Sequence, residues 1–410
     1  MTNIADRRFD VVVFGATSFV GQILCKYLVS RHGTTGKGLN WAIAGRSVTK
    51  LAEVAKSTGA NVEHLVADAS DAAAMTALVR STKLVISTVG PYALYGSELV
   101  AACATTGTDY CDLTGEPQWM QKMIDAHSDA AVASGARIVH SCGFDSIPSD
   151  LGTWFTQEQA KDKFGSTCTE IKMRVKSMKG AASGGTVASM MNVAEELRRN
   201  PALRKVLSNP YALAPKDMRA GVLQPNVTIP EYDKAAQSWV GPFVMASVNT
   251  RIVHRTHALL GHAWGDGFVY DEAMMMGKGP GGLAKAAVLT GGLASFMGAT
   301  ALGPIRSLLN KYVLPKPGEG PSVEAQEKGF YDIRFFGKTG AGQTMTTKVT
   351  GDQDPGYGST AKMLGEAAVC LLQQPRSVVG GGFWTPAIAM GDTLIAALRT
   401  HAGMTFEVVE

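Results

Sequence analysis

Val11-Val12-Val13-Phe14-Gly15-Ala16-Thr17-Ser18-Phe19-Val20-Gly21 is the stretch whose reading decides the fold. Four apolar residues end at a glycine, and a second glycine follows six residues later. Gln22-Ile23-Leu24-Cys25-Lys26-Tyr27-Leu28 then carries apolar residues at helical spacing. A buried strand, a tight turn and an amphipathic helix read in that order, which is the context a dinucleotide-binding glycine turn requires. Gly15 lets the chain leave the strand sharply, and Gly21 lets the helix approach the sheet. The first N–H groups of the helix and its positive dipole end would then face a pyrophosphate. Thr17, Ser18, Phe19 and Val20 complete the candidate phosphate loop. Ser18 stands where a middle glycine is usual. It is small enough to admit a phosphate, and its hydroxyl can donate to one.

The length, 410 residues, predicts two or three domains. A composition that is 45% hydrophobic and 18% charged is that of a globular protein. The net charge of +4 is spread along the chain with no long Lys/Arg run, so nucleic acid is not an expected partner. Six cysteines without a Cys-x-x-Cys pair read as reduced thiols of a cytoplasmic protein. The apolar run at residues 11–14 is too short for a signal peptide.

Further strand–helix units follow. Residues 40–44 read as a second strand that ends at Gly45-Arg46-Ser47. An acid at the tip of this strand would hold a ribose 2′-hydroxyl and select NAD. Arg46 and Ser47 stand there instead, and a guanidinium with a hydroxyl suits a 2′-phosphate, so NADP is the expected cofactor. Residues 62–67 make a third strand ending at Asp68, which either faces the adenine or caps the helix that starts near Asp71. Residues 83–89 make a fourth. Its end, Val89-Gly90-Pro91, is placed along the nicotinamide ribose, since the carboxyl ends of the strands line the cofactor crevice. Tyr92 and Tyr95 lie just beyond, in a loop, as candidate proton donors or as packing tyrosines.

A helix over 99–106 leads to Thr108-Asp109-Tyr110-Cys111-Asp112-Leu113-Thr114-Gly115-Glu116, read as a short strand and a polar turn. A helix over 119–134 and a strand over 137–141 bring the chain to Cys142-Gly143-Phe144-Asp145-Ser146-Ile147-Pro148-Ser149-Asp150. Asp145 and Ser146 are catalytic candidates in a turn stiffened by Pro148, or else caps of a helix beginning near Ser149. The alternation gives an α/β fold with a doubly wound parallel sheet.

These motifs, with Ala44-Gly45-Arg46-Ser47, Thr88-Val89-Gly90-Pro91-Tyr92 and, further on, Ser183-Gly184-Gly185-Thr186, Asn249-Thr250-Arg251, Lys316-Pro317-Gly318-Glu319-Gly320-Pro321 and Thr385-Pro386-Ala387, resemble saccharopine dehydrogenase-like oxidoreductases. The resemblance is to the branch of trans-acting enoyl reductases of mycobacterial lipid synthesis, and it covers nearly all of the chain. It implies a Rossmann-type NADP domain over residues 1–150 and a mixed α+β substrate or oligomerisation domain over 151–355. A C-terminal helix-and-loop segment over 356–410 would pack back on both. It further implies a small-molecule or carrier-bound acyl substrate, with amino-acid dehydrogenase chemistry or a non-catalytic NADPH-binding scaffold as alternatives.

In the second half, residues 169–176 alternate strictly. Their Lys172, Arg174 and Lys176 face reads as solvated, or as a seat for a phosphopantetheine or an acidic carrier protein. Ser183-Gly184-Gly185-Thr186 precedes a helix over 187–198 and is either a second anion site or a plain turn and cap. His254, His257 and His262 complete no zinc pattern, so no metal is expected. Residues 330–336 and 344–350 make a β-hairpin, a helix covers 360–373, and residues 380–386 read as a flexible loop near the substrate mouth. The uncharged segment 286–305 is long enough to span a bilayer. Its Ala, Gly, Thr and Ser content favours a core or oligomer-interface helix, with peripheral lipid contact as the alternative.

Overall fold

The computed structural model describes residues 4–34, 38–180, 184–301 and 320–409. Ser183 and residues 302–319, which include the end of the apolar 286–305 segment and most of the Lys316–Pro321 motif, lie outside them.

The first half alternates as the hydrophobic runs predict. Strand β1 (Phe9–Phe14) leads to α1 (Phe19–His32), β2 (Trp41–Gly45) to α2 (Val48–Thr58), and β3 (Glu63–Val66) to α3 (Ala72–Arg80). Strand β4 (Thr82–Ser87) precedes α4 (Tyr92–Tyr95) and α5 (Ser97–Thr106), and β5 (Asp109–Asp112) precedes α6 (Pro117–Ser134) and β6 (Arg137–Val139). Tyr92 and Tyr95 are therefore on a short helical turn rather than in a loop. The Glu116 carboxylate accepts from the Tyr92 and Ala93 N–H groups, both at 2.9 Å, and so secures the start of that turn.

Helix α7 (Ile147–Phe164) begins two residues before Ser149, with Pro148 in its first turn, where a missing N–H costs nothing. Then come β7 (Cys168–Lys179), α8 (Gly184–Arg199), α9 (Leu203–Ser208), β8 (Glu231–Asp233), β9 (Ser238–Pro242), α10 (Ala246–Leu259), β10 (Val269–Gly277) and α11 (Gly279–Ala301). After α12 (Val323–Glu327), the expected hairpin is β11 (Phe330–Thr339) and β12 (Thr344–Gly351). The chain closes with α13 (Gly358–Gln373), β13 (Gly382–Trp384), α14 (Pro386–His401) and β14 (Met404–Val408).

Two seven-stranded sheets result. One runs β13-β6-β5-β4-β1-β2-β3 with every pairing parallel, and the other runs β14-β12-β11-β7-β10-β9-β8 and is mixed. Val11, Val12 and Val13 are fully buried, as a strand covered by helices on both faces must be. Residues 380–386 are not a flexible loop. Gly382–Trp384 pairs with Arg137–Val139 as an edge strand, and Thr385 caps α14. The last segment thus contributes a strand to each sheet.

The cationic face of β7 is solvated only in part, with Lys176 exposed and Arg174 buried. Arg174 is buried between Asp233 and Asp271, at 2.7 and 2.8 Å, on a strand in the middle of its sheet. Lys172 pairs with Glu170 and Lys176 with Asp332. His254 and His257 lie in an aromatic cluster with Tyr211, Trp264, Phe268 and Tyr270. Burial pushes their pKa values down to about 3 and about 4, so both rings are neutral. No group of side chains suited to a metal ion occurs among the described residues.

Candidate active site

The glycine turn is built for close approach. Gly15 has φ +89°, and a Cβ there would lie 2.5 Å from Val89 Cγ2. A Cβ on Gly21 would fall on the Gly15 carbonyl oxygen. Both positions therefore demand glycine for packing, and Gly15 for its conformation as well. Ser18 is the N-cap of α1. Its Oγ accepts from the Gly21 N–H at 2.9 Å and donates to Thr88 Oγ1 at 3.0 Å, and Thr88 in turn donates to the Gly15 carbonyl. Its proton is thus given to the end of β4, and the turn is tied to Val89, Gly90 and Pro91. The N–H groups of Phe19 and Val20, at the first two helical positions, have no acceptor among the described residues. The Phe19 ring packs edge-on against Tyr357 at 5.0 Å.

At the tips of β2 and β3 the surface is open. Arg46 is exposed, and Ser47 caps α2 by accepting from the Lys50 N–H. Asp68 does not cap α3, because Asp71 does so with bonds from the Ala73 and Ala74 N–H groups. Asp68 instead accepts from the Ser70 N–H and hydroxyl. Those bonds, with Arg46 nearby, hold its carboxyl below the usual range. A cradle with free N–H groups and an exposed guanidinium fits a dinucleotide carrying a 2′-phosphate.

A second cluster lies along the same edge, at the ends of β5 and β6. Asp112 Oδ1 accepts from the Thr114 and Ser141 N–H groups, and Oδ2 meets His140 Nδ1 at 2.7 Å. Ser141 has φ +59°, and its hydroxyl donates to the Thr114 carbonyl at 2.7 Å. A non-glycine residue held left-handed is costly unless its surroundings fix it, and here both its N–H and its hydroxyl are engaged.

Asp145 follows. It sits deep in the fold yet is only half-buried, and its carboxyl has no hydrogen bond among the described residues. Burial first, and then the charge of Asp112, push its pKa up to about 7. Ser146 does not cap α7 through its side chain. Its Oγ donates to Asn249 Oδ1 at 3.2 Å, and Asn249 donates to Glu272, whose other oxygen takes the Tyr270 hydroxyl. This buried chain ties α7 to α10 and β10.

Of the two tyrosines, Tyr92 is buried. Its hydroxyl donates to the Ser87 carbonyl at 3.0 Å and accepts from the Leu113 N–H at 3.4 Å. Burial, Asp112, Glu116 and Asp145 all raise its pKa well above the ordinary value, which disfavours a role as a ready acid. Tyr95 is exposed on α4. Asp112, Glu116 and Asn249 fall in motifs the sequence displays, but it gave neither them nor His140 a role in the site. For Asp112, Glu116 and His140 the signal was the polar ends of strands at one sheet edge. For Asn249 it was an amide on an otherwise buried helical face.

Fold and crevice define the class: a dinucleotide-dependent oxidoreductase with its crevice at the carboxyl edge of a parallel sheet. The sequence model of the saccharopine dehydrogenase NADP binding domain matches residues 11–139. Saccharopine dehydrogenase (L-Glu forming) of Saccharomyces cerevisiae superimposes with a TM-score of 0.53 over 98% of this chain and all of its own, at 12% identity, which shows the shared fold. A Mycobacterium tuberculosis protein whose assignment as a trans-acting enoyl reductase is itself provisional is 40% identical, over 98% of this chain and 97% of its own. Trans-acting enoyl reductases of M. tuberculosis and M. leprae are 37% and 35% identical over 96% of each chain. The chain belongs to the trans-acting enoyl reductase branch of the saccharopine dehydrogenase-like oxidoreductases, and it is NADP-dependent.

Proposed function

We propose that the protein reduces the carbon–carbon double bond of an enoyl thioester at the expense of NADPH, with the acyl group delivered on a carrier. The observation that carries this reading is Asp145, a carboxyl without a hydrogen-bond partner among the described residues, held near neutral pKa at the sheet edge where Gly15 and Gly90 lie. Bound NADPH would supply a hydride to the β-carbon. The thioester oxygen then takes up negative charge, and the α-carbon needs a proton. Asp145, protonated below about pH 7, supplies that proton and recovers it through its solvent-open side. Burial, and after it the charge of Asp112, hold its pKa up, and Ser146, bonded to Asn249, fixes the turn that aims it. Phe19, Val20, Arg46 and Ser47 hold the cofactor, with Thr17, Val89, Gly90 and Pro91 along its course.

An amino-acid dehydrogenase reading would require unpaired cations clustered in the crevice for several carboxylates. Arg174 is taken by Asp233 and Asp271, Arg137 by Asp109, and Arg255 by the Leu213 and Phe383 carbonyls. That leaves little to recognise such a substrate. No helix among the described residues is long and apolar enough to cross a membrane. We read the protein as cytoplasmic, with α11 as its surface for peripheral lipid contact or self-association.

The test is NADPH oxidation with an enoyl thioester and mass analysis of the product. A saturated thioester formed in step with cofactor loss supports the reading. Cofactor binding without turnover on any acyl thioester would establish the scaffold alternative.

A further inference from the structure

Outside the cofactor crevice, a groove of about 620 Å³ lies between α4, α6, α8 and α9. Ala93 and Trp119 line it, with Gln118, Lys122, Glu196 and Leu203 among its other residues. Ala93 belongs to the turn that starts at Gly90, and Trp119 packs on Tyr92 at 5.5 Å between ring centres. The groove therefore reaches the outer side of the turn whose other end borders the cofactor crevice.

Helix α8 joins the two places. Ser189, Asn192 and Glu196 are spaced three and four residues apart and share one helical face. Ser189 Oγ donates to Glu116 at 2.9 Å and stands beside Gly90, where a Cβ would lie 3.8 Å from it. Glu196 accepts from Gln118 at 3.0 Å and from Asn192 at 3.2 Å. Seven residues of helix cover about 10 Å, so this seam runs from the groove to the crevice edge.

Exposed cations stand next to the lining residues. Lys122 lines the groove itself, Arg198 and Arg199 follow Glu196 at the end of α8, Arg204 and Lys205 follow Leu203 on α9, and Lys216 pairs with the lining Asp125. The carboxylates among them are Glu195, which takes both Arg198 and Arg199, Asp125, which takes Lys216, and Glu196. Lys122, Arg204 and Lys205 meet no carboxylate among the described residues. Lys172, Arg174 and Lys176 of β7, by contrast, are paired within their own sheet.

We propose that this groove is the docking site of an acidic acyl-carrier domain. The Arg198–Lys205 rim holds the acidic face of the carrier, and the groove leads its thioester arm along α8 to Gly90. The inference rests on the enoyl thioester reading above. Opposite charges across such a rim steer encounter and weaken as salt rises.

The experiment compares two probes of one enoyl group: a short N-acetylcysteamine thioester, and the same acyl chain on an acidic carrier protein. The double reversal Arg204→Glu with Lys205→Glu should lower kcat/KM on the carrier-bound substrate at least tenfold. It should leave the short thioester and NADPH affinity within about twofold, and Lys122→Glu should act in the same direction. For the wild type, rising salt should depress turnover of the carrier-bound probe alone. Unchanged carrier-bound turnover in both variants, or equal loss on both probes in a folded variant, would overturn the docking site and leave the enoyl reading standing. A wild type inactive on both probes would overturn the enoyl reading itself, and the docking site with it.

Discussion

His140 Nδ1 meets Asp112 Oδ2 at 2.7 Å, and this contact fixes the carboxylate whose charge Asp145 experiences. Asp112 is further held by two backbone N–H groups, so its position is set by the chain and not by a free rotamer. A negative group locked beside a second carboxyl adds to the effect of burial in raising the pKa of the second one. In the proposed reaction the pair divides the work, with one acid held by hydrogen bonds and the other giving the proton.

Asp145→Asn should therefore cut turnover at least ~100-fold, the usual scale for an acid–base group, while NADPH affinity and melting temperature stay near wild type. The wild-type rate should fall as pH rises through about 7, because the acid must be protonated to act. A variant with normal turnover would remove Asp145 from the site.

Arg46→Ala should weaken NADPH by about 1.5–3 kcal/mol, the worth of a hydrogen bond to a charged group, and leave NADH nearly unchanged. Titration calorimetry with both cofactors reads this directly. Equal wild-type affinity for NADPH and NADH would refute the assignment of Arg46 to the 2′-phosphate.

Much of the first sheet was legible because its signals are local. Val11 to Gly21 states strand, turn and helix within eleven residues, and the strand ends carry their own glycines and prolines. What the sequence hid depends on distant partners. Gly382–Trp384 looks like a loop, since three residues after a glycine run carry no pattern, and only pairing with Arg137–Val139 makes them a strand. Arg174 looks solvated because Asp233 and Asp271, which bury it, lie 59 and 97 residues further on. In the candidate site, the close-packed turn of Gly15 and Gly21 was readable from spacing, and so was the position of Arg46 just past the end of β2. The Asp112–His140 contact was not, because it crosses from one strand end to the next. Helix α10 escaped notice because Asn249, Arg251, His254, Arg255 and His257 all face inward and spoil its amphipathic pattern.

Removing one partner of the buried Arg174 group should be severe. Arg174→Met strands the Asp233 and Asp271 carboxylates together in the sheet, a loss of about 3–5 kcal/mol by the scale of broken buried pairs. Denaturant unfolding should show it. A loss below about 1 kcal/mol would mean that the two acids find water or protons easily.

Helix α11 should not make this an integral membrane protein, since Gly291, Gly292, Thr290 and Ser295 interrupt its apolar surface. Carbonate or high-salt washing should release any membrane-bound fraction. Retention until detergent is added would show that the segment around 286–305 inserts.

The last expectation concerns acid stability. Both ring nitrogens of His254 lack a hydrogen-bond partner among the described residues, and the ring is buried against Tyr211, Phe268 and Tyr270. Its folded pKa is pushed down to about 3 from 6.5, chiefly by burial. Between those values the unfolded chain binds a proton that the folded chain refuses, so stability falls as pH drops through that window. One such proton contributes a slope of about 1.4 kcal/mol per pH unit. His257, lowered to about 4, adds to it in the same direction. Asp150 and Glu272, raised to about 7 by burial, act the opposite way and gain stability on acidification. The whole-protein curve is thus a difference of terms, and the informative quantity is the change in slope on mutation. His254→Phe keeps a flat ring and removes the titration. Its unfolding free energy between pH 6 and 4 should decline less steeply than that of the wild type by about one proton's worth, whatever the packing change costs at pH 7. Parallel curves for the two proteins would mean that the His254 ring takes up its proton in the folded state.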